Sequence, residues 1–164
     1  MCLCFLINER REQKMYKALE IAQYVITKCN KDASPISNLQ LQKILYNLQK
    51  YFLQNKYISD GKEGKLFEDA IEAWQWGPVI PKVYFTFCIY GAMTITGTYN
   101  TDIDDKVKKI IDPIIEQKRK INPWLLVDET HKKNGAWDRV YKNGAGNHKV
   151  IPCELIRIGV KRDD

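Results

Sequence analysis

The stretch from Pro35 to Phe52 constrains the fold more than any other part of the chain. Ser37 is followed three residues later by Gln40, the spacing of a capping box at a helix N-terminus. Apolar side chains then recur at intervals of three and four residues: Leu41, Ile44, Leu45, Leu48 and Phe52. The other face is polar with little charge and consists of Gln40, Gln42, Lys43, Asn47, Gln49 and Lys50. This pattern predicts an amphipathic helix around which the rest of the chain packs.

Helical signals recur on both sides of this segment. Apolar spacing predicts a first helix from Met15 to about Asn30, and further helices are predicted over 81–90, 103–114, 123–132 and 152–160. Within the helix over 103–114, Pro113 predicts a kink, or a new helix capped by Asp112. Short strands are predicted at 94–99 and 149–151. With 164 residues, the chain is predicted to form a single, compact, mainly helical α+β domain with five or six helices and a small β-sheet.

Aromatic residues are concentrated between residues 67 and 90. They are Phe67, Trp74, Trp76, Tyr84, Phe85, Phe87 and Tyr90. Aromatics are ordinary core material in a small domain, and that interpretation is about as strong as a binding role. Gly77 and Pro78 mark a rigid turn beside Trp74 and Trp76, and a preformed turn presents aromatic side chains with little entropy to lose. The combination favours a surface that anchors a protein partner.

Charge is distributed unevenly along the chain. The net charge is +6, but residues 66–105 contain Lys82 as their single cation against six acidic residues. Glu68, Asp69 and Glu72 adjoin the aromatic segment, where they would steer a basic partner. Complementary packing within one fold is the simpler explanation of this segregation and outweighs a nucleic-acid stripe. A nucleic-acid surface would use the cations Lys106, Lys108, Lys109, Lys118, Arg119 and Lys120.

The residues offer little for catalysis. There is no glycine-rich phosphate loop, no Gly-x-Ser-x-Gly and no His-Glu-x-x-His. Asp128 and His131 form the strongest acid–base candidate, but without a nucleophile or metal cluster a structural hydrogen bond is the better interpretation. Glu68 and Glu72 are four residues apart, and such carboxylates are usually solvated rather than metal-bound. We therefore predict that the protein is not an enzyme and needs no cofactor or metal.

The cysteines and the hydropathy indicate a compartment. Cys2, Cys4, Cys29, Cys88 and Cys153 form no Cys-x-x-Cys pair, and their number is odd, so neither a disulfide framework nor a zinc site is predicted. No stretch approaches the roughly 18 apolar residues of a membrane span. Reduced thiols in a cytoplasmic protein, with no membrane partner, are the expectation.

The first 14 residues carry a separate hypothesis. Arg10 and Arg11 can be encoded by AGG AGG, and the codons of residues 12–14 then supply a purine-rich spacer before Met15. This is the layout of a ribosome-binding site. We expect Met15 to be the natural start, residues 1–14 to be a non-native extension, and residues 15–164 to form the domain.

Several segments, in this order along the chain, resemble the Panacea domain family. They are MYKALEIAQYVI, LQLQKILYNLQKYFL and LFEDAIEAWQWGPVIPKVYFTFCIYG, followed by Thr130 and His131 with Trp137. The most specific part runs from Glu72, Ala73 and Trp74 into Gly77 and Pro78. The resemblance covers Met15 to about Ile158 and so includes nearly the whole predicted domain.

The resemblance implies a cytoplasmic protein of bacteria, prophages and mobile elements. Members include SocA-like antitoxins and GepA-like phage-associated proteins, often encoded beside a toxin that they neutralise by direct binding; SocA-like members also act as adaptors that deliver the toxin to a protease. We therefore predict an antitoxin. Its expected contact residues are Trp76, Gly77, Pro78 and Tyr84, steered by Glu68, Asp69 and Glu72. Leu45, Trp74, His131 and Trp137 are assigned to the fold.

Two other functions stay open at this point. A nucleic-acid-binding or regulatory protein would use the cations of residues 106–120. A phage-encoded counter-defence factor would block a host enzyme.

Overall fold

A computed structural model describes residues 15–55 and 64–159. In these ranges the helices are α1 (Ala18–Lys31), α2 (Asn38–Gln54), α3 (Pro81–Phe87), α4 (Asp105–Lys118), α5 (Pro123–Thr130), α6 (Ala136–Tyr141) and α7 (Cys153–Ile158). The strands are β1 (Glu72–Trp74), β2 (Gly77–Val79) and β3 (Lys149–Val150). The mainly helical α+β class is confirmed. The predicted extension at 1–14 lies outside the described residues.

Helix α2 lies at the centre of the domain, as its amphipathic pattern predicts. The Ser37 hydroxyl accepts a hydrogen bond from the Gln40 amide at 3.3 Å, and the Gln40 side chain accepts one from the Ser37 amide at 3.0 Å, so the predicted capping box forms. Leu41, Ile44, Leu45, Leu48 and Phe52 are fully buried. The helix packs against α1, α3, α4, α5, α7 and β2.

Three of the six residues on the polar face of α2 are buried as well. Gln42, Lys43 and Gln49 are at most 1% exposed. The Gln49 amide bonds the backbone at Leu66 and Phe67, and the Gln42 carbonyl oxygen accepts from the Ile80 amide at 2.9 Å. These side chains satisfy the backbone of chain segments that have no neighbouring strand on that side.

The sheet has the order β2-β1-β3, with both pairs antiparallel. β1 and β2 form a hairpin in which Trp74 pairs with Gly77, so Gln75 and Trp76 form its tip. β3 confirms the strand predicted at 149–151. The hairpin itself was missed, because Gly77 and Pro78 indicate a turn more strongly than the three-residue strands indicate a sheet.

The strand predicted at 94–99 is wrong. A single bridge joins Thr94 to Ser37, and residues 95–99 otherwise have no regular secondary structure. The Asn30 amide donates to the carbonyls of Ile95 (3.2 Å) and Gly97 (2.6 Å). The Thr27 hydroxyl accepts from the Tyr99 amide at 2.8 Å. Side chains of α1 therefore take the place that a neighbouring strand would occupy.

Two helical predictions also change. α6 at Ala136–Tyr141 was not predicted, so the described residues contain seven α-helices rather than five or six. α4 continues through Pro113 without a second helix capped by Asp112. The Asp112 carboxylate instead accepts a hydrogen bond from Tyr24 of α1 at 2.8 Å.

Candidate protein-binding surface

Two tryptophans form an exposed pair at the hairpin tip. Trp76 is 51% exposed and Trp124, at the start of α5, is 55% exposed, and their rings meet edge to face at 5.4 Å. The Asn122 side chain caps α5 by accepting from the Trp124 amide at 2.9 Å, which fixes the start of that helix. Leu125 beside them is also exposed. This pair, Trp76 and Trp124, is called the tryptophan pair below.

Gly77 and Pro78 lie behind the tryptophan pair and are buried. The Pro78 carbonyl accepts a hydrogen bond from the Lys43 ammonium at 3.0 Å. Gly77 has φ +100, and a Cβ there would lie 2.6 Å from the Thr130 hydroxyl and 2.7 Å from the Lys43 nitrogen. Only glycine lets the hairpin approach α2 and α5 this closely. These two residues therefore support the tip from inside the fold.

Lys43 is a fully buried lysine. Burial disfavours its charged form and lowers the pKa of the amine to about 7. His131 lies close enough for the charge of Lys43 to lower its own pKa further, after the larger effect of burial. The Nε2 atom of His131 is buried and finds no hydrogen-bond partner among the described residues. The site behind the tip is therefore sensitive to protonation.

Aromatic stacking joins the end of α5 to α6 and β1. The His131 ring stacks on Trp137 at 3.7 Å with an interplanar angle of 6°, and Trp137 stacks on Tyr141 at 4.5 Å. The Trp137 indole donates to the Trp74 carbonyl at 2.8 Å. Asp128 and His131 are linked through the backbone, where the His131 amide bonds the Asp128 carbonyl at 3.2 Å.

A cleft of about 470 Å³ opens beside the hairpin. Its walls come from the first turns of α2, from Trp74 to Trp76, from Tyr84 and Cys88, and from Asn147 and His148 before β3. The Trp74 ring lies 5.0 Å from that of Tyr84 and 4.5 Å from that of His148. The Trp74 side chain thus forms part of one wall of the cleft, in addition to packing against other residues of the domain.

The three predicted steering acids differ in exposure and in their partners. Glu68 is exposed and makes an ion pair with Lys17. Asp69 accepts a hydrogen bond from the Ala18 amide at 2.6 Å, at the start of α1. Glu72 accepts from the Trp74 indole at 2.8 Å. Of the three, Glu68 alone lies on the exposed surface.

Half of the predicted nucleic-acid cations have acidic partners. Lys108 pairs with Asp105 at 3.0 Å, Lys118 with Glu129 at 2.7 Å, and Arg119 with Asp32 at 2.6 Å. Lys108–Asp105 and Lys17–Glu68 each pair a cation with an acid of the 66–105 segment, so complementary packing accounts for part of the uneven charge distribution. Among residues 15–55 and 64–159, no three His, Cys, Asp or Glu side chains are placed to hold a metal ion, and no helix is long and apolar enough to cross a bilayer.

Sequence reasoning missed three residues of this surface and its support. Lys43 and Gln42 were placed on a polar face, although the near absence of charge on that face was a signal that it packs against backbone. Trp124 was placed on its helix without a role, because its partner Trp76 is 48 positions away in the sequence and no local pattern links them.

The fold and this surface define a mainly helical domain that presents aromatic side chains around a supported hairpin. Residues 41–138 match the family described as antitoxin SocA-like, Panacea domain. The curated protein Antitoxin SocA of Caulobacter vibrioides (strain NA1000 / CB15N) is 30% identical over 144 residues, which cover 80% of this chain and 73% of that protein. The chain belongs to the SocA-like Panacea domain family of antitoxins. No solved structure gives a significant match.

Proposed function

We propose that this protein is a cytoplasmic, non-enzymatic antitoxin that neutralises a cognate toxin by binding it through the tryptophan pair. Family membership supports the antitoxin role. The exposed tryptophan pair is the observation that supports this assignment of the toxin-binding surface. Trp is the residue type most enriched among interface hot spots, and two half-exposed indoles held against each other lose little entropy on binding.

The support behind the pair fits this role. The hairpin tip is backed by the buried Lys43, and the start of α5 is capped by Asn122. Both tryptophans therefore stand on elements whose positions are fixed before a partner arrives. Such preorganisation raises affinity because less ordering is needed on binding.

The test is co-expression with the product of the adjacent reading frame, scored by growth rescue and by co-purification. Trp76→Ala should weaken the complex by about 30-fold, the effect of losing a hot spot worth about 2 kcal/mol. Its melting temperature should stay within a few degrees of that of the unsubstituted protein. A large loss of stability would show that Trp76 serves the core instead.

Tyr51→Ala is the matched control, because Tyr51 is an exposed aromatic near the C-terminal end of α2, whereas the first turns of α2 line the cleft. It should leave rescue and affinity unchanged. The steady-state level of the toxin separates two modes of neutralisation. Direct blocking leaves that level unchanged. Delivery to a protease lowers the level, and deletion of the protease gene then restores it.

A further inference from the structure

The cleft beside the hairpin is uncharged, although the chain as a whole is 28% charged. No Asp, Glu, Lys or Arg is among its lining residues. Its inner amides are already engaged: the Asn38 side chain donates to the Tyr84 carbonyl at 3.0 Å, and the Gln42 side chain bonds both Asn38 and the Ile80 amide. The Glu72 carboxylate adjoins the wall but is already engaged there, since it accepts from the Trp74 indole at 2.8 Å and lies 3.7 Å from Nδ1 of His148. A charged group entering this cleft would therefore lose its water without gaining a free opposite charge among the lining residues.

Exposed apolar side chains flank the cleft on both sides. The tryptophan pair stands on the hairpin side. On the side of α3 and the turn after it, Phe85 is 62%, Ile89 85% and Met93 69% exposed. Phe85 is continuous with the cleft wall, since its ring lies 6.0 Å from that of Trp74. A small ligand filling the cleft would leave these flanks in water, whereas a polypeptide crossing it would cover them.

We propose that the cleft is the anchor pocket for the toxin, and that it receives an uncharged, apolar side chain from a toxin segment that also covers the tryptophan pair and the Phe85–Met93 flank. This inference rests on the proposed function and adds the chemistry of the contact. Interface cores are depleted of charge and enriched in aromatic residues, as this cleft is. The exposed amides of Gln75 and Asn147 at the rim are available to the backbone of the entering segment.

Ala92 gives a test by charge. It is exposed, lines the cleft and lies outside helices and strands, so substitutions there should leave the fold intact. Ala92→Glu and Ala92→Lys should each weaken binding of the adjacent gene's product by about tenfold or more, because either charge is desolvated in the interface. Ala92→Gln, matched in size to Glu, measures the cost of bulk and polarity alone, and each charged variant should bind more weakly than Ala92→Gln by about tenfold or more. Tighter binding by either charged variant would show a charged occupant and overturn the proposal.

Cys88 gives a second measurement that does not depend on substitution in the cleft. Cys88 is exposed and lines the cleft, with its thiol donating to the Phe85 carbonyl at 3.2 Å, while Cys29 is buried. In a variant with Cys2, Cys4 and Cys153 replaced by serine, the toxin should slow alkylation of Cys88 by iodoacetamide about tenfold or more, since a hot-spot pocket is closed to water. An unchanged alkylation rate in a complex that forms would place the toxin elsewhere.

The two hypotheses fail differently. If the unsubstituted protein neither rescues growth nor co-purifies with the adjacent gene's product, the proposed function fails. If it does both while all three Ala92 variants bind equally and Cys88 stays reactive, the function stands and the anchor pocket is wrong. Thr98, exposed and outside the cleft, is the control site: Thr98→Glu and Thr98→Lys should not change binding.

Discussion

The Nζ atom of Lys43 donates a hydrogen bond to the carbonyl oxygen of Pro78 over 3.0 Å, in a position fully closed to solvent. This bond joins the central helix α2 to strand β2, two residues from Trp76. A buried amine is costly to charge, and its pKa falls to about 7. The support of the hairpin therefore includes a group that titrates near neutral pH.

The free energy of unfolding should rise as the pH increases from 7 to 8.5. In this window Lys43 has lost its proton in the folded state, whereas in the unfolded state, where its pKa is near the ordinary 10.5, it keeps the proton. The unfolded state then binds more protons, so stability increases with pH, by a slope that approaches about 1.4 kcal/mol per pH unit for one proton. Urea unfolding at several pH values measures this slope.

Lys43→Met is the control for this titration. Met matches the length of the lysine stem but lacks the amine. In Lys43→Met the unfolding free energy should therefore rise less steeply between pH 7 and 8.5, by up to about 1.4 kcal/mol per pH unit, the effect of one proton. Burial also lowers the pKa of Lys50, but Lys50 is present in both proteins, so its contribution cancels in the difference. Two further shifted groups act outside the window or with the opposite sign. Burial lowers the pKa of His131 from 6.5, so its effect falls below the window, and burial raises the pKa of Cys29 from 9.0, which weakens the fold at higher pH. Equal slopes in the two proteins would contradict the assignment.

Gly77→Ala should destabilise the protein more than Gly97→Ala. Both glycines have φ near +100, where an L side chain is strained. A Cβ at Gly77 meets the Thr130 hydroxyl and the Lys43 nitrogen below 3.0 Å, whereas at Gly97 the nearest atom is the Tyr99 hydroxyl at 3.9 Å. The strain alone costs about 1–3 kcal/mol, and the clash adds to it at Gly77. Chemical denaturation of both variants isolates the crowding as their difference, and equal losses would mean that Lys43 and Thr130 move aside freely.

The elements that the sequence predicted well are those with a local physical signature. The capping box of Ser37 and Gln40 and the proline after Asn122 specify helix starts through neighbouring atoms. The strand expected at 94–99 failed because its propensity was real but its partners, Asn30 and Thr27, were side chains of a distant helix. The burial of Lys43 was missed for the same reason, since its acceptor is a carbonyl 35 residues away.

Binding to nonspecific duplex DNA should be weak and should depend only shallowly on salt. Of the six cations expected on a nucleic-acid surface, Lys108, Lys118 and Arg119 are paired with carboxylates. If only the other three contact phosphates, log K should fall with log salt by a slope of about −2.7 or less in magnitude. Fluorescence anisotropy with a labelled duplex measures this slope between about 50 and 200 mM salt. A slope of about −5 or steeper would favour the nucleic-acid function instead.

Adjacent acids Glu68 and Asp69 should behave differently when they are replaced. Asp69 accepts from the Ala18 amide at 2.6 Å at the start of α1, so Asp69→Ala should cost about 1 kcal/mol of unfolding free energy, as the loss of a helix cap does. Glu68 makes an exposed ion pair with Lys17, and such pairs contribute little to stability.

Glu68→Gln should therefore leave stability unchanged within about 0.5 kcal/mol. If Glu68 steers a basic toxin, the same variant slows association at low salt and loses that effect at high salt, because exposed charges act on encounter and are screened. Two measurements on both variants check the roles of Glu68 and Asp69. Stopped-flow mixing at two ionic strengths gives the association rates, and denaturation curves give the stability. A stability loss confined to Glu68→Gln, or slowed association confined to Asp69→Ala, would reverse the two roles.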